Sequence, residues 1–279
     1  MNQTNSNAFT EGPVLNNGVK MPWLGLGVFK TQDGEEVINA VKDAVAAGYR
    51  SIDTAAVYQN EKGVGQAIRE CGIPRHELFI TTKVWNSDQG YEATLQAFEN
   101  SRKKLGLEYL DLYLVHWVVA DKYRETWKAL IHLYQEGAVK AIGVSNHQIA
   151  HIKQLIEDTG VVPAVNQVEC HPLLTQKELL KYCQQQGIQF EAWSPLIRGN
   201  LDNQILLNLA DKYGKTPAQI VLRWDIQNSI VTIPKSVHKE RIIENSQIFD
   251  FELNPEDMKE IDSMNENKRL GPDPDNVNF

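Results

Sequence analysis

The chain has 279 residues, of which 42% are hydrophobic and 23% charged, a composition typical of a globular protein with a sizeable core. Its formal net charge of -8 at pH 7 disfavours binding to nucleic acid or to an anionic membrane through bulk electrostatics. Three cysteines without a paired spacing, together with the lack of a signal-peptide pattern or a long apolar run, lead us to expect reduced thiols and a cytoplasmic location.

The first predicted element is a β-hairpin. The dipeptide Asn17-Gly18 lies between two apolar runs, and this is the pattern of a hairpin with a two-residue turn. A short strand at 24–27 follows, and then a helix in which Val37, Val41 and Val45 recur at helical spacing. These two elements form the first strand-helix unit.

Seven further units of the same kind follow along the chain. Their predicted strands are 51–54, 78–84, 110–116, 141–144, 164–168, 189–193 and 230–233. The helices after these strands begin near residues 61, 91, 127, 149, 177, 206 and 239, and two extra helices begin near residues 217 and 255. Eight short strands, each followed by a helix and without any linker, predict an α/β fold with a single (β/α)8 TIM barrel.

We expect residues 1–279 to form one domain in which the hairpin precedes the barrel and the extra helices lie near the C-terminus. The polar first ten residues and the segment 268–279, rich in Pro and Asp, are expected to be irregular.

Polar side chains occupy the end of nearly every predicted strand. In a barrel these ends converge on one face, where loops build the active site. Any one of them alone is most often a solvated loop residue, but together they indicate a site. The residues are Asp53, Lys83, His116, Ser145, Asn146, Gln167, Trp193, Ser194, Lys235 and Ser236.

Asp53 and Lys83 end neighbouring strands and can form a buried ion pair, with Tyr58 in the loop that follows Asp53. A cation near a phenol lowers the phenol's pKa and makes it a better proton donor to an oxygen that gains negative charge. His116 can orient a carbonyl group or take part in proton movement. These four residues therefore predict carbonyl reduction.

Reduction needs a hydride source. Gly25 and Gly27 lack the third glycine of a dinucleotide fingerprint, so we reject a Rossmann site. A better phosphate site is the basic stretch 233–245, in which Lys235 and Arg241 lie near the start of a helix. Trp193 can stack on a nicotinamide ring, although a core tryptophan is an equally ordinary interpretation.

The chain resembles the aldo-keto reductase family. The resemblance lies in the segments 48–55 with Tyr58, 82–85, 112–117, 143–146, 166–167 and 233–245, in the family's order and spacing. It is most similar to the short bacterial members known as glyoxal or methylglyoxal reductases and diketo-gluconate reductases. Two departures are Val118, where these relatives usually have proline, and the short segment 197–202.

The resemblance implies a catalytic tetrad of Asp53, Tyr58, Lys83 and His116, with Tyr58 as general acid. It also implies that NADPH binds across the barrel mouth and that aldehydes and activated ketones, of the glyoxal or keto-sugar type, are the substrates. The implied substrate-pocket residues are Trp23, Phe29, Trp85 and Trp117. The implied cofactor contacts are Ser145, Asn146, Gln167, Trp193, Ser194, Leu196, Lys235, Ser236, Arg241, Glu244 and Asn245.

Two other classes of function remain as alternatives. A binding or regulatory barrel would keep the cofactor without useful catalysis. A metal-dependent hydrolase would need more than His147 and His151, which are four residues apart without a third ligand nearby, and we expect no metal. Nothing in the sequence calls for assembly, so we expect a monomer.

Overall fold

The computed structural model describes residues 8–276. Eight parallel strands form one sheet, and each strand pairs with the next one in the chain. The strands are β1 (Gly25–Gly27), β2 (Ser51–Asp53), β3 (Phe79–Val84), β4 (Leu110–Val115), β5 (Val139–Ser145), β6 (Val165–Glu169), β7 (Gln189–Trp193) and β8 (Val231–Thr232).

The sheet closes on itself between β8 and β1. Parallel bridges join Leu24 to Thr232 and Gly27 to Lys235. The Gly27 amide donates to the carbonyl of Pro234 at 3.2 Å. A Cβ atom on Gly27 would lie 2.9 Å from the carbonyl oxygen of Ile233, so the closure needs glycine there. The glycines of β1 therefore serve strand pairing.

The helices surround the barrel. They are α1 (Glu35–Ala46), α2 (Glu61–Glu70), α3 (Tyr91–Leu105), α4 (Tyr123–Gln135), α5 (Ile149–Thr159), α6 (Lys177–Gln186), α7 (Gln204–Tyr213), α8 (Pro217–Gln227), α9 (Lys239–Ser246) and α10 (Pro255–Asp262). Helices α7 and α8 both lie between β7 and β8, and α10 follows α9. The predicted TIM barrel with extra helices is confirmed.

Local sequence sets the helix ends. Thr216 caps α8 by accepting a bond from the Gln219 amide, and the Gln219 side chain accepts one from the Thr216 amide. Pro217 occupies the first helical position, where its missing N–H costs nothing. The observed strands begin and end close to their predicted limits. Residues 8–10 and 268–276 contain no helix or strand, while 1–7 and 277–279 lie outside the described residues.

The hairpin differs from its prediction by one residue. The Leu15 amide donates to the Val19 carbonyl, and the Gly18 amide donates to the Leu15 carbonyl, which leaves a three-residue loop. Gly18 has φ 86°, so it takes the left-handed position of a type I turn followed by a bulge. The prediction of a two-residue turn is therefore wrong.

Two layers of apolar side chains hold the barrel together. One lies between the sheet and the helices, and the other fills the barrel interior. Leu15 and Met21 of the hairpin pack with Phe79, Leu112 and Val165 in the interior cluster. Asn17 Nδ2 donates to the Lys140 carbonyl just inside the start of β5, so the hairpin covers the N-terminal end of the barrel. The C-terminal end stays open.

The described part of the chain, residues 8–276, contains no helix of the length and apolarity needed to cross a membrane.

Candidate active site

A cavity of 360 Å³ lies at the C-terminal end of the strands. The end of the barrel where the loops meet is where this fold carries its active sites. Twelve of the predicted site residues line it: Phe29, Asp53, Tyr58, Trp85, His116, Trp117, Ser145, Asn146, Gln167, Trp193, Ser194 and Lys235. The rest of the lining consists of Gly27, Val57, Arg198, Ile233 and Pro272.

Lys83 and Asp53 form a buried ion pair beneath this cavity. Lys83 Nζ lies 2.6 Å from Asp53 Oδ1 and donates a second bond to the Thr54 carbonyl at 2.9 Å. The Lys83 side chain is 0% exposed. Desolvation lowers the pKa of Lys83, but Asp53, Tyr58 and Glu191 together more than offset this effect and the pKa stands above its ordinary value. Lys83 therefore stays charged, as predicted from its place on the neighbouring strand.

Tyr58 lies beside this pair. A 3-10 turn, Ala56–Tyr58, follows β2 and brings the half-buried ring to 5.2 Å from Lys83 Nζ, measured to the ring centre. On the cavity side, the centre of the Phe29 ring lies 5.0 Å from the centre of the Tyr58 ring. The turn fixes the phenol in the cavity wall.

The pKa of the Tyr58 phenol is raised above its ordinary value. Desolvation is the largest cause, and the positive charge of Lys83 offsets it only in part. We expected a net decrease from the cation, and that expectation is wrong because burial of the phenol outweighs the Coulomb effect. The phenol keeps its proton at neutral pH.

His116 follows β4 and is 7% exposed. Its ring makes edge contacts with the rings of Tyr58 and Trp85, at 5.8 and 5.2 Å between centres. Burial, with a further contribution from Lys83, holds the pKa of His116 well below its ordinary value. The imidazole is thus neutral, so it can orient a ligand by hydrogen bonding but has no positive charge with which to stabilise it.

On the other side of the cavity, a set of amide and hydroxyl groups is fixed by mutual hydrogen bonds. Asn146 has φ 59° and donates through Nδ2 to the His116 carbonyl at 3.0 Å. Asn146 Oδ1 accepts from Trp193 Nε1 at 2.8 Å, which fixes the indole ring. The Ser145 hydroxyl donates to the Gln167 carbonyl at 2.8 Å. The structure thus brings together the residues predicted at the ends of β5, β6 and β7.

Sequence reasoning missed Glu191, a carboxyl group in the barrel centre. The register of β6 and β7 pairs Glu191 with Gln167, whose Nε2 donates to Glu191 Oε2 at 2.9 Å and to Asp53 Oδ2 at 2.8 Å. Desolvation, then the charge of Asp53, raise the pKa of Glu191 to about 8. A charged residue inside the apolar strand Gln189–Trp193 was the signal that could have found it.

The predicted phosphate segment follows β8. Lys235 and Arg241 are exposed, and Ser236 is buried with its hydroxyl bonded to the His238 amide at 3.1 Å. Among residues 8–276, neither Lys235 nor Arg241 forms an ion pair within the molecule. Both are therefore available to an anion.

The far end of this segment is fixed by α8. Glu244 Oε1 accepts from the Thr216 hydroxyl at 2.9 Å, and the Gln219 side chain donates to the Glu244 carbonyl at 2.9 Å. Asn245 is buried next to it. These contacts hold the last turn of α9 against the start of α8.

Two further predicted residues, Trp23 and Leu196, do not line the cavity. Trp23 precedes β1 and packs against the interior cluster around Met21, on the hairpin side, because a residue before a strand lies at the opposite end of the barrel. The prediction of Trp23 as a pocket residue is therefore wrong. Leu196 packs against two apolar clusters that both belong to the layer between the sheet and the helices.

The C-terminal tail reaches the cavity through an anchor on Glu169. Glu169 is 0% exposed and accepts bonds from the amides of Leu270 at 2.7 Å and Gly271 at 3.1 Å. Despite desolvation, these bonds and the nearby His171 lower the pKa of Glu169. Pro272 then lines the cavity. Residues 270–272 of the segment predicted as irregular are thus a fixed part of the cavity wall.

The segments that depart from the family's usual pattern also shape this end of the barrel. Gln89 Nε2 donates to the Trp117 carbonyl at 2.7 Å, which fixes the loop that contains Val118. The short segment after β7 forms one 3-10 turn, Ile197–Gly199, and places Arg198 at the cavity.

The two histidines at metal-like spacing have structural contacts. His147 is buried with Nδ1 2.8 Å from the Ser145 carbonyl, and burial lowers its pKa to about 3. His151 Nδ1 accepts from the Gln148 amide at the start of α5. Within residues 8–276 no three His, Cys, Asp or Glu side chains form a group that could hold a metal ion.

The raised pKa of Glu191 predicts a pH-dependent loss of stability. The folded protein keeps this proton up to about pH 8, whereas an unfolded glutamate loses it near its ordinary value of 4.5. The contribution of Glu191 to the free energy of unfolding is therefore complete below pH 4.5 and is lost as the pH rises to 8. Glu191→Gln should therefore gain a few degrees in Tm over the wild type between pH 5 and pH 9, measured by thermal unfolding. Parallel Tm curves for the two proteins would contradict the assignment.

Gly271 lies so close to Trp193 and Glu169 that adding one methyl group at this position should disturb the tail. An added Cβ atom would lie 2.4 Å from Trp193 Cη2 and 3.2 Å from Glu169 Oε2. Gly271→Ala should displace the tail, speed exchange of the Leu270 and Gly271 amides, and cost about 1–3 kcal/mol. Hydrogen exchange and denaturant unfolding measure both effects. Lys268→Ala, an exposed change on the same tail, is the control and should leave both unchanged.

The chain is similar to known proteins over nearly its whole length. The model of the aldo/keto reductase family matches residues 23–266. Glyoxal reductase of Bacillus subtilis (strain 168) is 59% identical over 266 residues, which cover 95% of this chain and 96% of the relative. Methylglyoxal reductase DkgA of Escherichia coli (strain K12) is 50% identical over 266 residues, with 94% and 96% covered.

A crystal structure of a Gox0644 mutant in complex with NADPH superimposes with a TM-score of 0.92 at 43% identity, and covers 96% of this chain and 98% of its own. The family model and these relatives extend over nearly the whole barrel, and the chain belongs to the aldo/keto reductase family.

Proposed function

We propose that this protein reduces aldehydes and activated ketones to alcohols with NADPH. The observation that carries the proposal is the position of Tyr58, a protonated phenol in the wall of an aromatic cavity, next to a fully buried Lys83–Asp53 pair. A phenol held in this way is suited to protonate a carbonyl oxygen that is being reduced. The names of the two relatives support the same class of reaction.

Each member of the tetrad has a distinct task in this proposal. Tyr58 donates its proton to the carbonyl oxygen, and the ammonium of Lys83 stabilises the phenolate that this leaves behind. Asp53 keeps Lys83 charged and fixed through the 2.6 Å contact. NADPH, when bound, supplies the hydride that the carbonyl carbon receives. The raised pKa of Tyr58 ensures that the proton is present before the reaction.

His116 orients the substrate. Its imidazole is neutral, so it can hydrogen-bond to the carbonyl oxygen without a competing charge. Phe29, Trp85 and Trp117 surround the same space, and Phe29 is 53% exposed at its entrance. Aromatic walls around few polar groups favour a small carbonyl compound. Glyoxal-type dicarbonyls and keto-sugars are the substrate classes that we propose.

The residues on the other side of the cavity fit a nicotinamide cofactor. Ser145, Asn146 and Gln167 present fixed polar groups to a carboxamide, and Trp193 presents a ring held by Asn146. The free charges of Lys235 and Arg241 suit a 2′-phosphate, which distinguishes NADPH from NADH. We assign the remaining contacts by family resemblance: Ser194 and Leu196 to the pyrophosphate, Ser236 to the 2′-phosphate, and Glu244 and Asn245 to the adenosine end.

We further propose that the protein acts as a monomer in the cytoplasm. All of the residues that line the cavity come from one chain. All three cysteines are free thiols, and Cys170 and Cys183 are buried, which suits a reducing compartment.

The role of Tyr58 predicts a selective loss of turnover. Tyr58→Phe removes the proton donor but keeps the ring, so kcat should fall by about 10²–10⁴ while the Kd for NADPH stays within about twofold. Steady-state assays with methylglyoxal and a cofactor titration measure the two effects. Tyr134→Phe, at an exposed position on α4, is the matched control. Turnover by Tyr58→Phe close to that of the wild type would refute the proposal, and cofactor binding without any turnover in the wild type would favour a binding barrel.

The role of Arg241 predicts a change in cofactor preference. Arg241→Glu should raise KM for NADPH about tenfold more than KM for NADH, because only NADPH carries the 2′-phosphate. Lys259→Glu on α10 makes the same change in net charge on another exposed surface and should leave the ratio unaltered. An equal effect of Arg241→Glu on both cofactors would show that this residue does not contact the 2′-phosphate.

A further inference from the structure

The side-chain amide of Gln167 is held by two carboxyl groups. Its Nε2 atom lies 2.8 Å from Asp53 Oδ2 and 2.9 Å from Glu191 Oε2. The carboxylate of Asp53, which pairs with Lys83, accepts hydrogen bonds from an amide nitrogen and repels an amide oxygen, so the NH₂ group must face it, and Glu191 Oε2 accepts from the same nitrogen. Both of its hydrogens are committed, and Oε1 is the atom of this amide left to meet a ligand.

Glu191 is needed to fix this orientation. Asp53 accepts only one of the two hydrogens, and the amide plane can still turn about that single bond. Glu191 is 1% exposed, lies opposite Gln167 in the ladder between β6 and β7, and takes the second hydrogen. Two bonds from one nitrogen to acceptors on β2 and β7 define the plane of the amide. Gln167 itself lines the cavity.

We propose that Glu191 is a positioning residue, which acts through Gln167 to direct the Gln167 amide oxygen toward the NH₂ group of the nicotinamide carboxamide. The inference rests on the proposed function, since it concerns the cofactor side of the same cavity. In this proposal Glu191 contacts Gln167 and makes no contact of its own with the cofactor. Its role is to make this position of the cavity an acceptor, so the site selects a cofactor that carries a donor there.

This selectivity can be measured with a cofactor analogue. The reduced 3-acetylpyridine analogue of NADPH has a methyl group in place of the carboxamide NH₂ and cannot donate to Gln167. One net hydrogen bond corresponds to about a fivefold to tenfold difference in affinity. Isothermal titration calorimetry at pH 7 gives Kd for both compounds without any turnover, and the ratio of the two Kd values is the readout.

Glu191→Met keeps the length of the side chain and removes the acceptor, so the ratio should fall at least threefold from the wild-type value. Glu191→Gln should keep the ratio. Burial and the charge of Asp53 raise the pKa of Glu191 to about 8, so the carboxyl is protonated at pH 7, and glutamine has the same shape with an oxygen that accepts. Gln167→Leu should remove the discrimination, and Glu191→Met should add no further change in that background.

A matched control addresses general damage to the barrel. Asp225 is buried like Glu191, and its carboxyl accepts from the Thr232 hydroxyl at 2.8 Å without contacting Gln167. Asp225→Leu removes a buried carboxyl and should leave the ratio unchanged. A ratio that Asp225→Leu lowers as much as Glu191→Met does would overturn the proposal.

The outcomes separate this inference from the proposed function. Tight binding of NADPH with equal affinity for the analogue in the wild type would overturn the inference and leave the proposed function standing. The same holds if Glu191→Met leaves the ratio intact or lowers it equally in the Gln167→Leu background. Failure of the wild type to bind NADPH at all would instead overturn the proposed function. Because the wild-type ratio alone can refute the inference, the test stands even if Glu191→Met does not fold.

Discussion

The burial of one ammonium group is the constraint on which the rest of this site depends. Lys83 is fully enclosed by the barrel, and an unpaired charge in that position is strongly destabilising, by about 3–5 kcal/mol when the partner of a buried pair is removed. Asp53 on the neighbouring strand supplies the partner at 2.6 Å, and the Thr54 carbonyl supplies a second acceptor. The pair is kept in place by the register of β2 and β3, so the chemistry of Tyr58 depends on the geometry of the sheet.

The same constraint extends across the barrel. Asp53 uses one oxygen for Lys83 and the other for Gln167, and Gln167 continues the chain of hydrogen bonds to Glu191. Two carboxyl groups therefore share one cation in a desolvated interior. Holding one of them protonated avoids an uncompensated charge, which is why the pKa of Glu191 rises to about 8. This series of hydrogen bonds joins the wall that carries the proton donor to the wall that we assign to the cofactor.

Burial, position along the strand and backbone conformation explain where expectations from sequence went wrong. The cation next to Tyr58 acts in the expected direction, but desolvation of the phenol is larger and reverses the sign of the net shift. Trp23 carries the right kind of side chain for a pocket, yet it precedes β1 and so lies at the hairpin end. In the hairpin, the φ of Gly18 and the hydrogen bonds of Leu15 select a three-residue loop, which the Asn-Gly dipeptide alone does not specify.

The sequence by itself determined the alternation of strands and helices, because short apolar strands and amphipathic helices are local patterns. It also determined which polar residues end the strands, and in a parallel barrel these ends must meet at one face. Only the tertiary structure decided that Glu191 bonds to Gln167 and that Glu169 holds the tail at Gly271. The first contact joins residues that are 24 positions apart in the sequence, and the second joins residues that are 102 positions apart. Their geometry depends on strand register, barrel closure and burial, which no local pattern encodes.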